Sequence, residues 1–296
     1  MKKVFAFLKY IFRKRLWVSS QLIDVKIKDF SYSLSKEKIN FYNEVVSNHH
    51  NHSKFINKAD FLHPVVFAKI NWQMIQNLNN FLEKKINPEI LETLVHQSEQ
   101  IILNNIPKDL NKLVIKSKLI EISKHKRGTK LAIKFEYFVQ DNIIATEFSS
   151  AILFGVKLHG KDRILEQMPW PEKINRKPIW TEHLRIEKDL PYKYAEKAEI
   201  DAAIHTDPVF AKSLGLPDII LQGTCTFAKS LNTIIQKELN NDYSNIQAVS
   251  ARFTGHVVTP NILKINLLKQ NEKSLNFNVT TKQNKVVIKG GTILLK

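Results

Sequence analysis

Residues 194–230 read YAEKAEIDAAIHTDPVFAKSLGLPDIILQGTCTFAKS. Asp207 and Pro208 read as the cap and opening of a short helix over 209–214, since the aspartate can accept from free backbone N–H groups and proline suits a first helical turn. Gly215 ends that helix. The segment from Pro217 to Glu238 then reads as a long apolar helix entered through Leu221-Gln222-Gly223-Thr224, with Phe227, Leu231, Ile234 and Ile235 at helical spacing. An imidazole, His205, stands just before the first of these helices, and a glycine, Gly223, at the entry to the second.

Working outward, the chain repeats one plan twice. His63 to Glu83, with Pro64 near its start, reads as the helix of the first half. A strand of equal length follows each helix, Val95 to Pro107 and Ala248 to Pro260, and each proline precedes a lysine-rich strand, Leu113 to Ile122 and Leu263 to Leu268. Strict alternation comes next. Leu131, Ile133, Phe135, Tyr137 and Val139 share one face, and Leu275, Phe277 and Val279 repeat the pattern, which is the period of a half-buried antiparallel strand. Each half turns at a polar pair, Asp141-Asn142 or Gln283-Asn284, and closes on an apolar strand, Ala151 to Phe154 or Thr292 to Leu295. These elements predict a duplicated α+β architecture, in which each antiparallel sheet wraps its own helix and the two sheets join edge to edge, removing two exposed edges. The expected organisation is a basic amphipathic segment over 1–20, an N-terminal half over 21–159, an extended proline-bearing linker over 160–180, and a C-terminal half over 181–296 that carries the quoted motif.

Composition bounds the function. The 296 residues are 43% hydrophobic and 25% charged, an ordinary globular balance. A single cysteine, Cys225, excludes an internal disulfide framework and a cysteine-based zinc site, and suits a reducing, cytoplasmic compartment. The formal net charge of +17 permits acidic partners, but much of it is lysine scattered through strand-like segments, which reads as a solvated surface. No pattern of a nucleic-acid module is present, so nucleic acid is not an expected partner. Residues 1–17 carry six cations and no acid among apolar side chains such as Val4, Phe7, Leu8 and Ile11. They are too interrupted for a signal peptide or a membrane span, and two readings remain: a helix lying on a membrane surface, or a basic helix packed on its own domain. The cluster His49-His50-Asn51-His52 lacks carboxylate or thiolate support and reads as a wet loop; no metal is expected.

Searches for phosphate-binding glycine loops, nucleophile elbows and zinc-protease signatures find nothing. The quoted stretch does resemble the MaoC-like hydratase/dehydratase family, the (R)-specific enoyl-CoA hydratases. The resemblance is carried by Ile204-His205-Thr206-Asp207-Pro208, Ala211, Gly215, Pro217, Ile220 and Gly223, supported by Arg252-Phe253-Thr254-Gly255 and by Val95-His96 with Pro107. It implies a double hotdog fold, with the first half shaping the acyl pocket. It also implies syn addition of water to a trans-2-enoyl thioester, or its reversal, with no cofactor. His205 would position or activate the water, and the Gly223 N–H at a helix N-terminus would bind the carbonyl oxygen as enolate charge develops.

The chain departs from the family pattern at telling positions. The family aspartate falls on Ile200, with Asp201 one residue late; the family asparagine and proline fall on Ala202 and Ala203; the histidine before the turn glycine is Gln222. The candidate site is therefore His205, Gly223 and a re-registered Asp201, with Gln222 and Thr224 on the substrate. Asp207 reads as a helix cap, Cys225 as a buried thiol, and Glu196 and Glu199 as alternative carboxylates. Two functions are expected: a hydro-lyase acting on acyl-CoA or acyl carrier protein thioesters, or a diverged hotdog that binds such thioesters without hydratase chemistry. A homodimer and peripheral membrane contact through residues 1–17 are compatible with both.

Overall fold

A computed structural model describes residues 16–47, 61–169, 174, 176–200 and 202–296. The basic segment of residues 1–15, the His49–His52 cluster and Asp201 lie outside the described residues.

Ten strands form the continuous path of one large antiparallel sheet: β1 (Phe30–Tyr32), β2 (Leu94–Leu103), β3 (Leu113–His125), β4 (Gly128–Val139), β5 (Asn142–Phe154), β6 (Trp180–Ile186), β7 (Ile246–Phe253), β8 (Asn261–Asn271), β9 (Ser274–Thr281) and β10 (Val286–Leu295). Their order is β1-β3-β4-β5-β2-β7-β10-β9-β8-β6, so the second half repeats the first about the central β2–β7 pair. That pair runs antiparallel with Ile102 opposite Ala248 and Ser98 opposite Arg252. The result is the double hotdog, with the sheet edges joined as expected.

The alternation holds. Leu131, Ile133, Phe135 and Tyr137 on β4 are buried, as are Leu275, Phe277 and Val279 on β9. They pack toward two helices, α2 (Val66–Gln76) in the first half and α6 (Gly223–Leu239) in the second. Both are buried around most of their circumference, as a helix surrounded by protein must be. Each fully buried leucine or phenylalanine contributes about 1.5–3 kcal/mol relative to exposure. Helix α6 ends at Asn240, whose φ of +48° is the left-handed stop that asparagine tolerates.

Both long helices are shorter than the apolar pattern suggests. In the first half the helix starts at Val66, because the Val65 N–H turns to the ring of His63 at 3.1 Å, and α2 breaks at Asn77 before a short turn over Leu78–Phe81. In the second half residues before Gly223 are extended instead: Ile220 and Leu221 form a two-residue antiparallel ladder with Val258 and Val257. That ladder is what presents the Ile220 carbonyl to the site described below.

Two short helices, α1 (Lys36–Val46) and α3 (Leu190–Ala198), lie against each other where the halves meet. The hydroxyls of Tyr42 on α1 and Tyr194 on α3 are 3.4 Å apart. Each long helix also sends a buried lysine to the C-terminal carbonyls of the opposite half's short helix. Lys69 Nζ donates to Lys197 O at 3.2 Å, and Lys229 Nζ donates to Ser47 O at 2.6 Å. A cation at a helix C-terminus meets its unpaired carbonyls and the negative end of the dipole.

Residues 163–168 lie on the sheet. Arg163 and Ile164 pair with β3, the Leu165 N–H donates to Ile120 O at 2.8 Å, and Met168 is buried against Ile120, Ala132 and Phe148 on the face away from the long helices. At the start of the described chain, Trp17–Ser19 pairs in parallel with Lys157–His159, and Trp17 is exposed. Among the described residues no helix is long and apolar enough to cross a membrane.

Candidate functional site

The motif segment folds as two short helices, α4 (Ala203–Thr206) and α5 (Pro208–Ser213), ahead of α6. Asp207 caps α5: its Oδ1 accepts from the N–H groups of Val209 at 2.8 Å and Phe210 at 3.1 Å. It is therefore occupied as a cap. Gly215, at φ +86°, ends the turn that follows.

Helix α4 carries His205 and aims it at the extended residues before α6. His205 Nδ1 lies 2.7 Å from the carbonyl oxygen of Ile220, three residues ahead of Gly223. A carbonyl can only accept, so Nδ1 carries the hydrogen and Nε2 is left with its lone pair. Burial lowers the imidazole to about 4, against the smaller opposing effect of the Ile220 bond, so the ring is neutral at physiological pH. A neutral ring with a free Nε2 is the form that removes a proton.

Gly223 opens α6, where the first backbone N–H groups have no partner within the helix. The Phe253 ring explains the glycine: a Cβ added at Gly223 would stand 3.1 Å from Phe253 Cδ1. Any other residue pushes against that ring. The helix terminus thus offers a donor beside an apolar wall, where electrostatic stabilisation of an oxyanion is strongest.

Gln222, immediately before Gly223, is 1% exposed. Its Nε2 donates to Pro191 O at 3.0 Å, which fixes the amide orientation because that carbonyl cannot donate. Its Oε1 is then buried with no hydrogen-bond partner among the described residues. Thr224 is buried too, and its hydroxyl accepts from Tyr194 at 3.1 Å. Cys225 is fully buried, and burial pushes its thiol up to about 12. A thiol that protonated is unreactive.

No carboxylate is described beside His205. Ile200, at the position of the family aspartate, is in the apolar core. Glu199 is turned to the other half, where it accepts from the Tyr32 hydroxyl at 3.0 Å and pairs with Lys38 and Lys69 at 3.5 and 3.6 Å. Glu196 faces Lys197 at 4.0 Å. Two surface hollows, of about 550 Å³ beside Lys188 and Tyr192 and about 410 Å³ beside Asn278 and Lys289, have neither His205 nor Gly223 in their walls. Among the described residues no group of histidine, cysteine and carboxylate side chains could hold a metal ion.

The resemblance assigns the acyl pocket to the first half but names no residue there that reaches Gly223. His96 on β2 has its ring 4.7 Å from that of Phe253, so Phe253 touches Gly223 on one side and the N-terminal half on the other. The available signal was Val95-His96, which the sequence presents as the start of the strand over 95–107.

Comparison with known proteins agrees with the fold. Residues 198–290 match the family described as MaoC like domain. The peroxisomal multifunctional enzyme type 2 of Drosophila melanogaster is 25% identical over 248 residues, covering 81% of this chain and 41% of the fly protein. This chain therefore spans less than half of that relative. The probable enoyl-CoA hydratase 2 of Dictyostelium discoideum is 23% identical over 283 residues, covering 93% of this chain and 96% of that protein. Among solved structures, a MaoC-like dehydratase from Phytophthora capsici superposes with a TM-score of 0.79 at 14% identity, covering 93% of this chain and 98% of the other, a likeness of fold.

Proposed function

Because the chain carries a MaoC-like domain over residues 198–290, we propose that it hydrates trans-2-enoyl thioesters, or dehydrates the corresponding (R)-3-hydroxyacyl thioesters. His205 Nε2 takes a proton from water as the water oxygen bonds to C3. The C2–C3 π electrons move toward the carbonyl, and the resulting enolate oxygen is held by the Gly223 N–H. The protonated imidazole then returns the proton to C2 on the same face, which completes a syn addition with all atoms balanced. Gln222 Oε1 is the acceptor for the second hydrogen of the water, the part a carboxylate would otherwise take. Thr224 supports the substrate side through its bond to Tyr194, and Asp201 remains the candidate second acid–base group. The observation that carries this reading is the His205–Ile220 bond, which sets the tautomer a base requires and ties the ring to the residues leading into Gly223.

The relative named probable enoyl-CoA hydratase 2 supports the thioester substrate, and the basic surface suits the phosphates of CoA or of a carrier protein. The second reading, a thioester-binding protein without this chemistry, is favoured by the burial of Ile200 where a carboxylate would stand. Purified protein incubated with crotonyl-CoA and longer trans-2-enoyl-CoAs separates the two. Loss of the conjugated absorbance supports the hydratase. Binding of the thioesters without any turnover, at every chain length, supports the binder instead.

A further inference from the structure

The N-terminal half grips one residue of the motif segment that the reaction above does not use. Glu199 follows α3 and stands six residues before His205. Its φ of +56° lies in the left-handed region, which glycine enters freely and a glutamate only at a cost. Four side chains of the other half hold it there. The Tyr32 hydroxyl on β1 donates to Glu199 Oε2 at 3.0 Å. Lys38 Nζ on α1 and Lys69 Nζ on α2 stand 3.5 and 3.6 Å from Oε1. Gln73, one turn beyond Lys69 on α2, donates from Nε2 to the Glu199 carbonyl at 2.5 Å. The grip is braced within itself. Lys38 Nζ also donates to the Tyr32 hydroxyl at 3.3 Å, and the buried Lys69 also donates to Lys197 O. A strained backbone of this kind persists where its surroundings over-determine it. Glycine would take the same turn at no cost, so what glutamate adds at this position is its carboxylate.

Helix α3 is tied at its other end to the N-terminus of α6. Pro191 O accepts from Gln222 Nε2 at 3.0 Å, and the Tyr194 hydroxyl donates to Thr224 Oγ1 at 3.1 Å, so the two bonds flank Gly223. The chain that leaves α3 through Glu199 then enters α4, which carries His205 back to the Ile220 carbonyl. Helix α3 is thus a strut between the two parts of the site. Its first turn is fixed to the residues around Gly223, and the residue that ends it is fixed to the N-terminal half. Release of Glu199 would leave the imidazole its Ile220 bond but free the backbone that carries it.

We infer that Glu199 is a positioning residue: clamped by Tyr32, Lys38, Lys69 and Gln73, it holds the backbone of His205 in register with Gly223, so that the N-terminal half takes part in the chemical step. This rests on the hydratase reading above. The clamp should matter far more to rate than to stability. A misplacement of about 1 Å in a reacting group can cost about 10²-fold in rate, whereas ion pairs of a partly exposed carboxylate contribute little to folding.

The test uses Glu199→Gly in the full chain, which removes the carboxylate and keeps the left-handed turn. Its thermal midpoint should stay close to that of the wild type, while kcat for crotonyl-CoA falls at least about tenfold with little change in KM. Glu199→Gln, which still accepts from Tyr32, should recover part of the loss. Tyr32→Phe combined with Lys38→Met breaks the same clamp from the other half and should lower kcat in the same way; it gives the same readouts should Glu199→Gly fail to fold. NMR of the His205 ring, its signal identified by its loss in His205→Ala, reads the imidazole without turnover. A ring loosened from its buried place should titrate nearer the ordinary 6.5 than 4. Wild-type turnover with kcat and the His205 titration unchanged in the clamp variants overturns the positioning role while the hydratase stands. No wild-type turnover, with the titration shifted by the clamp variants, overturns the hydratase while the clamp stands. Neither turnover nor a shift overturns both.

Discussion

His205 Nδ1 is bonded to the carbonyl oxygen of Ile220 at 2.7 Å, and this one contact ties the orientation of the imidazole to the backbone that leads into Gly223. His205→Ala should lower the hydration rate of crotonyl-CoA by at least about 10²-fold, the usual contribution of a positioned acid–base group. The variant should still fold, which circular dichroism checks. An unchanged rate would remove His205 from the site.

The pH–rate profile follows from the same ring. Burial lowers His205 to about 4, so its basic form persists well below the ordinary histidine range. The acid limb of kcat/KM for the free enzyme is expected near pH 4, and a limb at 6.5 would mean that the ring is solvated during turnover.

Gly223→Ala should cost stability at one identifiable contact. The new methyl meets Phe253 at 3.1 Å, and overpacking of this kind costs about 1–3 kcal/mol. Adding Phe253→Leu to the same chain should recover much of the loss, because the two residues are in contact and their effects are not additive. Urea denaturation of the single and double variants measures the coupling; strictly additive losses would contradict it.

Stability should peak near pH 6.5. Burial lowers His63, His96 and His205 to about 4, so their contributions are lost as pH falls from 6.5 toward 4. Glu99 behaves oppositely. Its carboxyl is raised to about 8 from an ordinary 4.5, so its contribution is full below 4.5 and disappears as pH rises through 8, and Glu147 acts in the same sense. The thermal midpoint of the wild-type chain should therefore fall between pH 6.5 and 8, and Glu99→Gln should flatten that fall. Identical slopes would show that Glu99 is ionised in the folded protein.

Much of this fold is written in local pattern. The alternation from Leu131 to Val139 and from Leu275 to Val279 states which face is inward, and the two equal runs of elements state the duplication. Asp207, Pro208 and Gly215 mark a short helix because each acts on its own backbone. The ends of the long helices were not legible, since apolar residues such as Ile219 and Leu221 suit a buried extended segment as well as a helix, and only the distant Val257–Val258 strand decides between them. Buried charge was hidden for a related reason. Lys69, Lys229, Glu99 and Glu147 look like surface residues until the partners that hold them, far away in sequence, are known. At the site, His205 and Gly223 could be read from their motif, whereas the part played by His96 and Phe253 depends on how β2 meets β7.

The β2–β7 ladder has a further consequence. Two separate copies that met along such a margin would part on dilution, and whatever they built between them would go with it. Here both sides belong to one polypeptide, so their local concentration is set by the covalent chain and not by how much protein is in solution. A chain nicked between residues 160 and 180 loses that link, so its halves should come apart on dilution, and each half alone would carry a raw row of unpaired amides seeking the other.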